Sequence, residues 1–444
     1  MGIDIGSSSI KVVIGEYEKG KLSISGTGEA QTKGVNKGII TNMGEVRRAI
    51  KSAYSRAKRV AGIQPEATYV AISSAYTKSL YYTGVINLPQ RNIDIKEIHR
   101  VIRNAIYDAK KPRDMELLHA FPYQFAVDEM TGIDDPRGMG GNRLEAQVHL
   151  IYIQQGGLDN IQRLFKDTDI PLDGIVVSPL ASGLAVLSPE EREVGHGVLD
   201  VGADVSDLGI FHNQSFVGLG TVTVGSRNIT KDISLVNAIP MGEAEKLKLH
   251  FDKLLKKRKI VVSNGREGTQ ELDTLQVVGP VVVRLKEMLL LYRKLISRHP
   301  FHSKVAGLTI TGGFANFYLI DKIAQLLFKY PVSLGYPKVE GILQGDKLAQ
   351  FAGAVGALYY GLGDQILYEV DFKGSFRTKH IRGELRESEE GDERAPTASQ
   401  PRMEPVPKKR RTADKEPILA KRIQEEEKRE GVFKKFLNII NNLF

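Results

Sequence analysis

The 444-residue chain contains no cysteine, so it can form neither disulfides nor thiolate metal sites. It has no run of 18 apolar residues, which excludes a helix that spans a bilayer. Asp4 interrupts the first apolar stretch and no basic segment precedes it, unlike the pattern of a signal peptide. A myristoylation motif is missing because Gly6 stands where serine or threonine is required. These absences are compatible with a reducing cytoplasm.

The composition indicates a globular chain with a surplus of basic residues. Its length suits two or three domains, and a hydrophobic content of 41% is enough for a large core. The formal net charge is +9, which permits nucleic acid or an anionic membrane as a partner. Part of this charge lies in clusters at 256–259 and 408–411, and such clusters are more typical of solvated surface than of functional sites.

The most informative pattern is a glycine turn after an acidic strand end, and it occurs twice. The first copy spans 3–11 and the second spans 198–207. A third glycine turn, Thr-Gly-Gly, follows within 308–314. A single turn of this kind is an ordinary strand end. Two copies followed by Thr-Gly-Gly favour a pair of hairpins that grip the phosphates of a nucleotide from both sides.

The residue types in these turns suit that chemistry. Backbone amides approach phosphate oxygens most closely where no Cβ intervenes, as at Gly6 and Gly202. Asp4 and Asp200 are carboxylates at the ends of apolar strands, where burial is costly without a partner. A hydrated Mg2+ suits this pair, because Mg2+ keeps waters and takes one or two carboxylates. Ser7, Ser8 and Ser9 would add hydroxyl donors, and Lys11 would add a positive charge. Gly312 and Gly313 would let the backbone approach the nucleotide closely.

Strand-like and helix-like segments alternate along the chain, which predicts an α/β fold. Apolar residues at helical spacing and charged helical stretches predict helices at 45–61, 95–109, 158–167, 179–187, 244–259 and 281–297. Short β-rich runs predict strands at 10–14, 21–24, 68–72, 119–121, 147–153 and 175–177. The stretch 81–153, which contains a loop at 134–141, is predicted to be an inserted subdomain.

The composition changes sharply near residue 372. Residues 373–430 are highly charged with few apolar side chains, which predicts a disordered linker. Residues 431–444 form an amphipathic pattern about 21 Å long as a helix, suited to lie in a membrane interface. Docking on the chain's own core or on a partner is the alternative. The apolar face carries Phe433, Phe436, Leu437, Ile440, Leu443 and Phe444, and the polar face begins with Lys434 and Lys435. We interpret the basic run at 407–411 as attracted to anionic lipid rather than as a nuclear signal.

The paired hairpins with Thr-Gly-Gly resemble the superfamily of actin, heat-shock 70 and sugar-kinase ATPases. Within it, the chain resembles the FtsA family of bacterial cell-division actin homologues. The segments that carry this resemblance are 34–40, 118–128, 132–151, 180–195, 244–248 and the amphipathic terminus.

The resemblance implies an actin-like, two-lobed ATPase fold of four subdomains, with ATP and Mg2+ in the cleft. The implied subdomains are 1A (1–79, returning at 155–194), 1C (80–154), 2A (195–240 and 305–372, the latter also returning to 1A) and 2B (241–304), followed by the linker (373–430) and a membrane-targeting helix (431–444). Asp4, Gly6, Ser7, Ser8 and Lys11 match the first phosphate motif. Asp200 and Gly202 match the second motif, Gly312 and Gly313 the adenosine motif, and Glu245 and Lys248 the ribose and base contacts. Asp4 and Asp200 would hold the metal, largely through water.

The family polymerises like actin and ties the FtsZ ring to the inner membrane. The resemblance therefore implies self-assembly, binding of the FtsZ C-terminal peptide, and contact with inner-membrane lipid at the division site. Residues 80–154 are the expected site for later division proteins. No nucleic acid is expected as a partner.

One departure concerns the second hairpin, where the family pattern has Gly-Gly-Thr and this chain has Ala203, Asp204 and Val205. Two glycines and a hydroxyl are lost, and a carboxylate is gained where phosphate is expected. Like charges a few Å apart repel even at moderate dielectric. Asp204 therefore points away, helps to hold the metal, or weakens binding of the terminal phosphate. We expect nucleotide binding with weak or no hydrolysis.

Two other functions remain open from the sequence. A PilM-like actin homologue of pilus assembly tolerates an alanine at position 203, but it normally lacks a membrane-binding tail. A sugar kinase of the same superfamily needs a dedicated base and a sugar pocket, and no convincing acceptor motif is present.

Overall fold

The computed structural model describes residues 1–379 apart from 19–20, 89–91, 167, 266–267 and 364. The strands are β1 (Gly2–Ile5), β2 (Ser9–Glu18), β3 (Lys21–Gln31), β4 (Val35–Asn36), β5 (Ile39–Ile40), β6 (Tyr69–Ile72), β7 (Thr77–Asn87), β8 (Met115–Val127), β9 (Met130–Ile133), β10 (Arg143–Gln154), β11 (Gly174–Val177), β12 (His196–Val201), β13 (Ser206–His212), β14 (Ser215–Val222), β15 (Lys259–Ser263), β16 (Thr269–Asp273), β17 (Gly307–Thr311), β18 (Val332–Leu334), β19 (Glu340–Gly341), β20 (Tyr368–Asp371) and β21 (Phe376–Thr378). The predicted membrane helix and most of the predicted linker lie outside the described residues.

The α-helices are α1 (Met43–Ala61), α2 (Ile95–Asp108), α3 (Gln155–Lys166), α4 (Ser178–Val186), α5 (Pro189–Val194), α6 (Ser226–Asn237), α7 (Met241–Leu249), α8 (Phe251–Leu254), α9 (Thr274–Ser297), α10 (Ile320–Gln325) and α11 (Ala352–Leu362). Short 3-10 turns occupy His302–Lys304, Gly313–Asn316 and Gly345–Phe351. Within the described ranges, no helix combines the length and apolarity needed to cross a bilayer.

Two sheets with the same arrangement of strands form the centres of two lobes. In the first lobe the strand order is β11-β6-β1-β2-β3-β19, and in the second it is β14-β13-β12-β17-β18. In both sheets an acidic strand (β1 or β12) pairs antiparallel with the next strand of its hairpin and parallel with a later strand. The duplicated hairpin motif of the sequence therefore corresponds to a duplicated sheet, and each hairpin occupies the same place in its own sheet.

A third sheet, here called the inserted sheet, has the order β21-β20-β8-β10-β7, with β9 paired to β8. Helix α2 covers one face, and its apolar residues pack with those of β8 and β10 in a separate core cluster. An N-terminal capping box formed by Asp94 and Glu97 fixes where α2 begins. The predicted α/β fold with an inserted subdomain is confirmed.

Two crossing helices hold the lobes together. Helix α11, from the small-residue run at 351–360, packs on α4 so closely that a Cβ on Gly356 would lie 1.8 Å from the carbonyl oxygen of Ala181. Only glycine fits at this crossing, as expected where two helix backbones approach. The prediction of a closely packed helix in this run agrees with the structure.

Two predicted helix boundaries are wrong. The long helix begins at Thr274 rather than at 281, because Asp273 and Gln276 form a capping box ahead of Pro280. The proline leaves the carbonyl of Gln276 without its helical partner, and Nδ2 of Asn237 donates to that oxygen at 3.3 Å. The helical stretch predicted over 244–259 ends at Leu254, because the β-branched run at 260–262 pairs with β16 instead.

The linker prediction is wrong at its start, because the folded body continues beyond 373. Strand β21 pairs with β20, which itself pairs with β8 of the inserted sheet. The Phe376 ring stacks on Tyr368 with centroids 6.0 Å apart. The inserted sheet is thus completed by residues from the far end of the folded chain.

A buried ionic cluster joins these C-terminal strands to the inserted sheet. Nδ1 of His119 lies 2.6 Å from Oε1 of Glu369, and both residues are fully buried. The Tyr360 hydroxyl donates to the same oxygen at 2.8 Å, and Nη1 of Arg377 lies 3.4 Å from Oε2. Burial alone would raise the pKa of Glu369, but the hydrogen bond and charge of His119, with Arg377, lower it from 4.5.

Replacing Glu369 by glutamine is expected to lower the free energy of unfolding at pH 7 by about 3–5 kcal/mol, because Arg377 and His119 lose a buried partner. A lowered folded pKa means that the ionised group stabilises the protein above pH 4.5, and that this stabilisation is lost as pH falls through the folded pKa. The gap between wild type and Glu369→Gln should therefore narrow below pH 4.5 in urea titrations.

Glu116→Gln is the matched control, because Glu116 forms an exposed ion pair with Lys111. We expect that change to cost less than about 1 kcal/mol. Equal effects of the two substitutions at pH 7 would contradict the role assigned to the cluster.

Candidate functional site

The two acidic strand ends approach each other between the lobes. Burial raises the pKa of Asp4 to about 6; Lys11 opposes this shift, and the charges of Asp200 and Glu29 add to it. Burial also raises the pKa of Asp200 to about 6, against a hydrogen bond from Ser182 at 2.5 Å and with a contribution from Asp207. Two buried carboxylates whose raised pKa values are only partly offset by Lys11 suit a cation that is shared between them.

The first hairpin turn is tightly constrained. A Cβ on Gly6 would lie 2.9 Å from the carbonyl oxygen of Ser9, so glycine is required there. The Ser7 hydroxyl accepts from the amide of Gly38 at 3.4 Å, and the Ser8 carbonyl accepts from the amide of Thr32 at 3.0 Å. These contacts fix the backbone of the turn.

Lys11 extends from β2 beside the turn. Its Nζ donates to the Ser9 hydroxyl at 3.0 Å, and that hydroxyl donates to Oε1 of Glu29 at 2.7 Å. The charge of Lys11 opposes the raised pKa values of both Asp4 and Asp200. Lys11 therefore lies beside the first turn and is close enough to both carboxylates to favour their ionised forms.

The third glycine turn lies against the second hairpin. Gly312 has φ +81°, and a Cβ there would lie 2.4 Å from Oδ1 of Asp200. No atom lies within 4 Å of the position where a Cβ on Gly313 would stand. In the second hairpin, the amide of Gly202 donates to the carbonyl of Val205 at 2.9 Å. The Thr-Gly-Gly turn thus has one glycine packed on the site and one facing open space.

Glu245 and Lys248 lie on one face of α7 and point to α6. Nζ of Lys248 lies 2.8 Å from Oε2 of Glu245 and 3.4 Å from the carbonyl oxygen of Ser226. The Thr230 hydroxyl donates to Oε2 of Glu245 at 2.5 Å. Burial lowers the pKa of Lys248, Glu245 opposes this shift, and nearby Arg227 adds to it. Both predicted nucleotide contacts therefore lie next to the helix that follows the second hairpin.

A hydrogen-bonded group that the sequence analysis missed joins the segment after β6 in the first lobe to the second hairpin. The hydroxyl of Ser74, after β6, donates to Oδ1 of Asp207 in β13 at 2.6 Å. Thr221 of β14 donates to the same oxygen at 2.8 Å. Burial raises the pKa of Asp207, and these hydroxyls oppose the shift. No local pattern marks Ser74, because its partner is 133 residues away in the sequence.

Asp204 is directed to a partner that the sequence analysis also missed. Its Oδ2 lies 2.9 Å from Nη1 of Arg227, which belongs to the first turn of α6. The carboxylate therefore forms an ion pair, rather than pointing freely at the phosphate position. Across the described ranges, no group of three or more histidine, aspartate or glutamate side chains forms a metal cluster. The predicted Mg2+ site depends on the Asp4 and Asp200 pair alone.

Two family models match this chain, and their ranges contain the elements described above. A family model for the SHS2 domain inserted in FtsA matches residues 74–152, which contain most of the inserted sheet. A second model, for cell division protein FtsA, matches residues 197–356, which contain the second hairpin and the Thr-Gly-Gly turn. The chain belongs to the FtsA family. Together the two matches cover more than half of the sequence.

Relatives named cell division protein FtsA align along most of the chain. The Helicobacter pylori protein is 28% identical over 509 residues, covering 100% of this chain and 99% of the relative. The Pseudomonas aeruginosa protein is 28% identical and covers 82% of this chain and 89% of its own. The Escherichia coli protein is 26% identical and covers 81% and 90%.

Solved structures establish the actin-like fold of this FtsA family member. A PilM–PilN type IV pilus biogenesis complex aligns with a TM-score of 0.59 at 15% identity, covering 81% of this chain and 98% of that chain. MreB5 of Spiroplasma citri bound to AMPPNP aligns with a TM-score of 0.50 at 12% identity, covering 87% and 97%. At these identities the likeness concerns the fold alone.

Proposed function

We propose that this FtsA family protein is an ATP- and Mg2+-binding, filament-forming adaptor that anchors the FtsZ ring to the inner membrane. The observation that carries the nucleotide part is the meeting of the two hairpins. Each stands in the same place of one of two like sheets, and Asp200 is close enough to Asp4 for its charge to raise the pKa of that carboxyl.

The residues of the cleft fit Mg2+-ATP. Asp4 and Asp200 would hold Mg2+ largely through water, and the metal would neutralise phosphate charge when bound. The backbone of the two turns, the serine hydroxyls and Lys11 would contact phosphates. Gly312, Gly313, Glu245 and Lys248 would line the nucleoside end. The absence of Gly-Gly-Thr in the second hairpin supports weak or no hydrolysis, so the bound nucleotide would chiefly set the conformation and the assembly of the protein.

The adaptor part of the proposal rests on family membership and on two segments, the inserted residues 80–154 and the amphipathic residues 431–444. We propose residues 80–154, which form most of the inserted sheet, as the surface for later division proteins. The amphipathic residues 431–444 would bind lipid at the cytoplasmic face of the membrane. The folded body would bind the C-terminal peptide of FtsZ and further copies of this chain.

A three-component sedimentation assay tests this function with the full chain, FtsZ polymers and anionic vesicles in the presence of Mg2+-ATP. We expect FtsZ to pellet with vesicles only when the full chain is added. FtsZ that lacks its C-terminal peptide is the matched control. It should remain in the supernatant while the chain and the vesicles pellet.

Two outcomes have different meanings. If the chain pellets with vesicles but never brings FtsZ, the ring-anchoring role fails and the pilus alternative gains support. If intact and truncated FtsZ pellet equally, the contact does not use the C-terminal peptide. The matches to both FtsA family models favour the division role over pilus assembly at the outset.

A further inference from the structure

Arg227 connects the two hairpins directly. It begins α6 after the second hairpin, and its amide donates to the carbonyl of Ala203 at 2.9 Å. Nη1 of its guanidinium donates to Oδ2 of Asp204 in the second hairpin at 2.9 Å, and Nη2 donates to the carbonyl oxygen of Ser7 in the first hairpin at 3.1 Å. One side chain therefore spans the gap between the two turns.

The pairing explains how the chain accommodates Asp204. Only 8% of Asp204 is exposed, and an isolated carboxylate would be costly to bury there. Arg227 supplies the compensating charge from a residue whose backbone is already bonded to the same turn. The arginine has five N–H donors, of which these two contacts use two. About a third of its side chain, 34%, remains exposed.

We propose that Arg227 recognises the terminal phosphate of a bound nucleoside triphosphate, and that Asp204 positions it. The inference rests on the proposed nucleotide function of the cleft. A planar guanidinium between two phosphate turns presents its remaining N–H groups to an anion held between those turns, and arginine binds phosphate oxygens through paired donors. Arg227 and Asp204 thus replace the lost glycines and hydroxyl, and they make the site selective for triphosphate over diphosphate.

The selectivity is measured as the ratio of the ADP to the ATP dissociation constant, by calorimetry with the full chain and Mg2+. Loss of a charge-assisted phosphate contact is expected to lower this ratio about tenfold or more in Arg227→Ala. Lys231→Ala removes the same charge from the exposed side of α6 and should leave the ratio unchanged. A change of less than threefold in Arg227→Ala would overturn the proposal.

A double variant separates a phosphate contact from simple neutralisation of Asp204. If Arg227 only screens that carboxylate, then Asp204→Ala combined with Arg227→Ala restores the wild-type ratio, and the proposal fails. If Arg227 contacts the phosphate, the double variant keeps the lowered ratio. Should Arg227→Ala not fold in thermal melts, Arg227→Lys retains the charge without the planar fork, and it is expected to lower the ratio in the same direction; an unchanged ratio there would also overturn the proposal.

The test distinguishes this inference from the nucleotide function itself. A wild-type chain that binds neither ATP nor ADP would remove the proposed function and the inference with it. A wild-type chain that binds both, with an unaltered ratio in the variants, would remove only the role of Arg227.

Discussion

Deletion of Val432–Phe444 from the full chain is expected to reduce its sedimentation with anionic vesicles at least tenfold. These residues lie outside the described part of the structure, and the expectation rests on their sequence pattern. A helix of this length is not stable alone in water, so its apolar face needs a surface. Burial of several large apolar side chains in a lipid interface stabilises it by several kcal/mol.

Two point variants locate the effect on one face of the helix. Ile440→Glu places a charge on the apolar face, and Asn438→Glu places the same charge on the polar face. The first is expected to release the chain from vesicles nearly as fully as the deletion does. The second should have a small effect that disappears at high salt, because it only reduces attraction to anionic lipid. If the deleted chain still pelleted as the full chain does, lipid would have to contact the folded body instead.

Lipid composition provides a further check on the same experiment. Lys434, Lys435 and the basic run at 407–411 should each add about 1 kcal/mol per charge near an anionic surface. The full chain is therefore expected to bind neutral vesicles more weakly than anionic ones, while the deleted chain, which keeps the basic run, retains only weak binding to anionic vesicles. Equal binding to both lipid types would assign the affinity to the apolar face alone.

Sequence patterns predicted the parts of this fold that depend on local chemistry. The two Asp-x-Gly turns indicated two hairpins, and the structure places them in two like sheets. The small-residue run at 351–360 indicated a close helix crossing, which Gly356 makes against Ala181. In each case the residues that carry the signal are also the residues that make the contact.

The features that the sequence did not reveal depend on partners far away in the chain. Glu369 looks like one of many charges near the start of a linker, and only the fold brings it to His119, 250 residues away in the sequence. The start of the long helix is an exception, because the capping box of Asp273 and Gln276 is a local signal between residues only three positions apart. Arg227 follows a Gly-Ser pair that marks a helix start, but its two partners lie on different hairpins.

Replacement of Gly313 by leucine is expected to weaken binding of Mg2+-ATP about a hundredfold or more while the protein stays folded. Gly313 is exposed, and a Cβ there meets no protein atom within 4 Å. Its backbone begins a 3-10 turn that other residues can adopt. The added side chain would therefore enter the open space beside the cleft, where the adenosine is proposed to lie. A hundredfold loss corresponds to about 2.7 kcal/mol, which exclusion of the base from its place can supply.

The neighbouring glycine gives the contrast that makes this result interpretable. Gly312→Ala brings a Cβ to 2.4 Å from Oδ1 of Asp200 and places alanine at φ +81°, so it should lower the melting temperature even without nucleotide. Gly313→Leu should leave that temperature unchanged and remove only its increase on adding Mg2+-ATP. Gly156→Leu, at an exposed position near the start of α3 where a Cβ also meets nothing within 4 Å, should change neither. Full ATP affinity in folded Gly313→Leu would place the adenosine elsewhere.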